Sequence, residues 1–137
     1  MENKELVKLA LEAREMAYVP YSNWAVGAAL LCKDGTVFKG CNIENAAYTP
    51  TNCAERTAVF KAVSEGHYDF EKIAVVGGRK GEEVVDYCYP CGVCRQVLRE
   101  FVNPDEFKVI VGKNENEFVE NTLSEILPYS FSKTDLI

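Results

Sequence analysis

Two stretches of the chain carry residue types and spacings that could do chemistry: TNCAERTAVF (51–60) and CYPCGVCRQVL (88–98). Cys91 and Cys94 stand three residues apart at the start of an expected helix, so both thiols fall on one face of its first turn. Helix N-termini carry partial positive charge, which lowers a thiol pKa and favours the thiolate that binds metal. Cys53 opens the other expected helix and has the same advantage. Three thiolates from two facing helix ends make a tetrahedral zinc site with one open corner. Water at that corner can lose a proton near neutral pH. Glu55, two residues after Cys53, is placed to shuttle that proton. Arg56 answers a charge problem: zinc with three thiolates is net negative, and a guanidinium donating to sulfur withdraws that charge.

Other readings of the same residues stand beside this one. Cys91 and Cys94 alone could form a structural zinc site or a redox pair. With Cys88 and Cys53 they could close a structural four-cysteine site, leaving Glu55 without a task. Arg56 could serve a surface or interface ion pair, and Trp24 could be a core residue. Cys32 and Cys41 read as small packing residues. His67, the single histidine, follows Gly66 in an expected exposed loop, which leaves a Cys-His hydrolase without its partner.

The elements that must position these groups follow from the pattern of the chain. Leu6, Leu9, Ala10, Ala13, Met16 and Ala17 recur at helical spacing, and Pro20 ends that run. WAVGAALLC (24–32) and TVFKGCN (36–42) flank Asp34-Gly35, a hairpin signal. A loop over 44–52 leads to a helix from Cys53 to Ser64, with Thr51 or Asn52 as cap and Gly66 as its left-handed stop. KIAVVGG (72–78) is an apolar run suited to a strand covered on both faces. A helix follows Pro90. Two strands, FKVIVG and EFVEN, then pair antiparallel because their connection is too short for a crossover. TLSEILP closes the pattern as a short helix capped by Thr122. Strands interleaved with helices predict a three-layer α/β/α sandwich around a mixed sheet, in one domain over 1–137.

Composition sets the outer limits. The chain has 137 residues, 47% hydrophobic and 26% charged, which suits one ordinary globular core. The formal charge is −6 and there is no basic stripe, so long nucleic acid is excluded as a partner while a small neutral substrate is not. No apolar run reaches the roughly 20 residues that cross a bilayer, and the N-terminal segment lacks the pattern of a secretory signal. The expected compartment is the cytoplasm. There, six cysteines read as ligands or nucleophiles before disulfides.

Cys53-Ala54-Glu55 and Pro90-Cys91-Gly92-Val93-Cys94 match the signature of zinc deaminases, a cysteine site with a non-ligand glutamate. They resemble the cytidine deaminase family. Pro20-Tyr21-Ser22, Val26-Gly27-Ala28-Ala29, Gly40 to Tyr48, Asn52 to Ala58, Pro90 to Val97, and Leu127-Pro128 with Phe131 are similar to its small homotetrameric branch. The resemblance covers nearly the whole chain. It implies that Cys53, Cys91 and Cys94 bind one zinc ion and that Glu55 moves protons to the ring N3 and then to the leaving ammonia. The product is uridine or 2′-deoxyuridine, and the role is pyrimidine salvage. Asn42 and Glu44 would hold the ribose hydroxyls; the Ala54 N–H and the Tyr89 carbonyl would read the base edge. Ala46, Tyr48 and Phe131 would close the pocket from neighbouring subunits of a homotetramer.

Asn42 and Glu44 also follow a strand at spacing two, hence in one direction if extension continues. A carboxylate and an amide suit a vicinal diol and repel phosphate, which favours free nucleosides. Trp24 stands where the family usually has a stacking phenylalanine, and Tyr89 where serine or threonine is common. These departures bear on breadth of substrate. Two rivals remain: a deaminase of a related aminopyrimidine nucleoside such as blasticidin S or a modified cytidine, and a non-catalytic zinc module.

Overall fold

The computed structural model describes all residues, 1–137. Its five strands are β1 (Trp24–Cys32), β2 (Val37–Cys41), β3 (Phe70–Arg79), β4 (Lys108–Asn114) and β5 (Glu117–Thr122). They form one sheet in the order β2-β1-β3-β4-β5. Only β3 and β4 run parallel; the other pairs are antiparallel, including the final β4–β5 hairpin. The sheet is therefore mixed, as expected from the strand–helix alternation and the short last connection.

The helices are α1 (Asn3–Arg14), α2 (Ala54–Ser64), α3 (Gly92–Phe101) and α4 (Leu123–Ile126), with a 3₁₀ turn at Lys133–Asp135. Alternation along the strands divides the core into two layers. Ala28, Leu30, Ile73, Val75, Val109 and Val111 face α2 and α3, together with Ala54, Ala58, Val59 and Leu98. Ala29, Leu31, Ala74, Val76 and Ile110 face α1, against Leu6, Val7 and Ala10. β3 and β4 are buried on both faces, which is why their sequences read as unbroken apolar runs.

Two local features fix where α2 sits. At Gly40 an added Cβ would come within 2.5 Å of Ala54 O and Ala58 N, so only glycine lets the first turn of α2 lie directly on β2. At the other end Gly66, with φ of +89°, terminates the helix in the left-handed region. The cap differs from expectation: it is Cys53, not Thr51 or Asn52. Thr51 Oγ1 is taken by the Asn45 N–H, and the Asn52 backbone pairs with Ile43 in both directions. Pro90 likewise stands before the α3 cap, Cys91, and not inside the helix. Thr122 caps α4 as expected, through a reciprocal bond set with Glu125. No helix is long and apolar enough to cross a membrane.

Candidate active site

Cys53 and Cys91 are both N-caps, with extended backbone and no cap hydrogen bond from their side chains. Their sulfurs are therefore free to point away from the helices they start. Cys94 lies in the first turn of α3 and is fully buried. The three Sγ atoms lie within 4.8 Å of one another, and Cys53 Sγ is 3.8 Å from Cys91 Sγ. Cys88 is outside this group. Its sulfur packs on β3, where a Cβ on Gly77 would lie 2.7 Å from it. Burial raises the Cys88 thiol pKa, and a hydrogen bond from Trp24 partly offsets that rise. The four-cysteine reading therefore fails on geometry, and one corner is left without a thiol.

Arg56 donates from Nη2 to Cys53 Sγ at 3.3 Å. Its Nε is buried without a hydrogen-bond partner in the chain, and within the chain the guanidinium forms no carboxylate ion pair. Cys53 is held down to about 5, first by hydrogen bonding with Cys94 and then by Arg56 and Cys91, against its own burial. Cys94 is pushed up, first by that same hydrogen bond with Cys53 and then by burial. Arg56 thus favours a thiolate at Cys53.

Glu55 is 3% exposed, and burial is the largest cause pushing its pKa up to about 7; the Cys53 charge adds to the rise. A carboxyl group poised there can hold or release a proton near neutral pH. Ala54, its neighbour, is buried and opens α2, so its N–H is one of the first-turn donors without an intrahelical acceptor. Tyr89 is 43% exposed, and its carbonyl accepts no hydrogen bond within the chain.

Asn42 and Glu44 are joined through Trp24, Asn42 directly and Glu44 by way of Ser22. Asn42 bonds the β1 edge as another strand would: Oδ1 accepts from the Val26 N–H at 2.9 Å, and Nδ2 donates to Trp24 O at 2.8 Å. One amide proton and one lone pair remain on that side chain. Glu44 turns to the 20–22 loop instead. Oε1 accepts from the N–H groups of Tyr21 and Ser22, at 3.0 and 3.1 Å, while Oε2 accepts from the Ser22 hydroxyl. That hydroxyl, the largest cause, holds the Glu44 carboxyl below the usual range. Ser22 Oγ also accepts from the Trp24 N–H at 3.0 Å, which joins the two anchors.

Ser22 thus anchors Glu44, a task that its place in the Pro20-Tyr21-Ser22 motif does not by itself reveal. A short hydroxyl residue after Pro-Tyr was the available signal.

Glu44 lines a cavity of about 370 Å³ with Tyr21, Ser22, Asn45, Tyr48 and Thr51. Tyr48 is 72% exposed and meets the Tyr21 ring edge-on, with centroids 6.4 Å apart. Ala46 is exposed beside it, and Phe131 is exposed on the C-terminal segment, which Gln96 Nε2 ties through Phe131 O at 2.9 Å. None of the sulfurs lines this cavity.

Residues 1–113, which include the three cysteines, match a family model described as the cytidine and deoxycytidylate deaminase zinc-binding region. A cytidine deaminase of Halalkalibacterium halodurans is 52% identical over 136 residues, covering 99% of this chain and 98% of that protein. The crystal structure of a Burkholderia pseudomallei cytidine deaminase superposes with a TM-score of 0.86 at 44% identity, covering 96% of this chain and all of that one. A blasticidin-S deaminase of Bacillus cereus is more distant, 33% identical over 96% of this chain and 94% of its own length. Site chemistry, sheet order and these likenesses converge, and the chain belongs to the cytidine deaminase family.

Proposed function

We propose that the chain catalyses the hydrolytic deamination of cytidine and 2′-deoxycytidine to uridine and 2′-deoxyuridine, with release of ammonia, as a step of pyrimidine salvage. The observation that carries this reading is a buried carboxyl, Glu55, two residues from the first of three converging sulfurs. Cys53, Cys91 and Cys94 would hold zinc: the donors are of the right kind, they converge, and Arg56 offsets the charge they accumulate. Bound zinc supplies a Lewis acid that makes a water acidic near neutral pH.

Glu55 would take up a proton from the attacking water and deliver it to the ring N3. It would then take the proton of the new C4 hydroxyl and pass it to the amino group leaving C4. The C4–N bond is exchanged for a C4–O bond, and water plus cytidine becomes uridine plus ammonia. The Ala54 N–H and the unpartnered Tyr89 carbonyl offer a donor and an acceptor to the base edge, and the Trp24 ring flanks the base. Asn42 and Glu44 hold the ribose hydroxyls with the capacity left after their own loop and strand contacts. The Glu44 charge disfavours a 5′-phosphate.

The chain acts as one domain, in the cytoplasm, within a homotetramer. Support for shared sites comes from the exposed aromatic rings Trp24, Tyr48, Tyr89 and Phe131, which no partner within the chain covers fully. Ala46, Tyr48 and Phe131 of neighbouring subunits would then complete the pocket. A fully active monomer in sedimentation would contradict this arrangement.

The test is the ultraviolet loss of cytidine absorbance alongside ammonia release, with and without a zinc chelator, repeated on cytidine 5′-monophosphate and blasticidin S. Cytidine turnover that the chelator abolishes, with both other compounds poorer, is the expected result. Faster turnover of blasticidin S would instead favour the activity for which the more distant relative is named.

A further inference from the structure

The other end of α2 gathers a second set of donors. Cys32 ends β1, Asp34 stands in the turn to β2, and His67 follows Gly66 just beyond α2. One ligand atom from each lies within 4.8 Å of the others. They differ in kind: a buried thiol, a largely exposed carboxylate and a half-buried imidazole. His67 Nδ1 is 3.5 Å from Asp34 Oδ2. That is too long for a good hydrogen bond, and it matches the roughly 3.3–3.7 Å between neighbouring donors around a tetrahedral zinc ion.

Each donor is fixed by contacts that ligation leaves intact. The Cys32 N–H donates to Thr36 O at 2.8 Å, and the Gly35 N–H to Cys32 O at 3.0 Å, which sets the turn. Asp34 uses its other oxygen, Oδ1, to accept from the Thr36 N–H at 2.9 Å, so Oδ2 is left for a cation. The His67 N–H donates to Ala62 O at 2.9 Å, and its ring meets Phe38 edge-on at 5.0 Å. The charge also suits a dication: a thiolate and a carboxylate neutralise it. Nearby Asp69 is engaged by Lys33 at 3.7 Å.

The geometry points to a second site, for a zinc-class divalent cation, held by Cys32 Sγ, the Asp34 carboxylate and the His67 imidazole, with its fourth position toward solvent. Calcium and magnesium are disfavoured because they require oxygen donors, whereas zinc and cobalt accept sulfur, nitrogen and oxygen together. Binding displaces the Cys32 proton to solvent, one per cation. The 11 residues of α2 span roughly 16 Å, so one ion cannot serve both ends. The site ties the β1–β2 turn to the α2–β3 connection and takes no part in the reaction.

The test starts from zinc-loaded protein, titrated with Co²⁺ while metal content and absorbance are followed. Wild type takes up a second equivalent per chain, accompanied by a sulfur-to-cobalt charge-transfer band. His67→Gln and Asp34→Asn, both at accessible positions, weaken that second equivalent at least about tenfold. They lose its band while keeping the first metal and full cytidine turnover. Saturation of wild type at one metal per chain overturns the proposal. So does a second equivalent, or a band, that persists unchanged in both variants, since that marks exchange at the three cysteines or loose surface binding.

Discussion

α2 has a thiol-containing donor set at each end, and the thiols Cys53 and Cys32 are shifted in opposite directions. At its N-terminus Cys53 is pulled down to about 5 by Cys94, Arg56 and Cys91. At its C-terminal end Cys32 is pushed up, first by burial and then by Asp34 and Asp69. Thiols therefore do not define a reactive centre by themselves. What separates the ends is the helix N-terminus, the guanidinium on sulfur and the buried acid Glu55, all of which the second set lacks. On the proposed reading the first set activates a bound ion's surroundings, and the second only holds one.

The widest gap between the two ends should follow loss of a sulfur. Cys94→Ser is expected to abolish zinc at the cysteine cluster and detectable turnover together, read by elemental analysis and ammonia release. Arg56→Ala comes next. Zinc should remain at one per chain in the cysteine cluster while kcat/KM falls about 10–100-fold; loss of the metal instead would make Arg56 an organiser of the site.

Gly40→Ala attacks the platform of the N-terminal end. Its Cβ meets helix backbone at 2.5 Å, and the forced shift should cost about 1–3 kcal/mol in denaturant unfolding. Turnover should fall as well, because α2 carries Cys53 and Glu55 with it.

Ser22→Ala gives a smaller, pH-dependent effect. Glu44 has a folded-state pKa lowered chiefly by the Ser22 hydroxyl. Its contribution to stability is thus present above the unfolded carboxylate value, about 4.3, and is lost as pH falls through the lower folded value. Removal of the hydroxyl raises the folded value. The melting temperatures of wild type and variant should differ most at pH 7 and converge in acid. A remainder that does not titrate is expected from the lost bond to the Trp24 N–H. His67→Gln, at the opposite end, should leave cytidine turnover unchanged.

Local signals made much of this legible in the sequence. The apolar runs in 24–32 and 72–78, the Asp34-Gly35 turn and the short β4–β5 connection each encode their element within a few residues. Arg56 on Cys53 was legible for the same reason, since three residues on a helix are neighbours. The α2 cap was not. Thr51 and Asn52 are better cap formers than cysteine, but distant partners, Asn45 and Ile43, occupy them. From sequence, His67 reads as an exposed loop residue. It is half-buried against Phe38 and Asp34, because the turn after β1 and the segment after α2 meet only in the folded sheet. Glu44 showed its charge in the sequence but not its grip on the 20–22 loop, a contact 22 residues away.

The central claim is that a buried acid beside three converging sulfurs moves the protons of the reaction. Glu55→Gln keeps shape and removes the titrating oxygen. Zinc content and thermal unfolding should stay at wild-type values while ammonia release from cytidine falls about 10²–10⁴-fold. Ammonia release at the wild-type rate, or zinc lost in step with turnover, would contradict it.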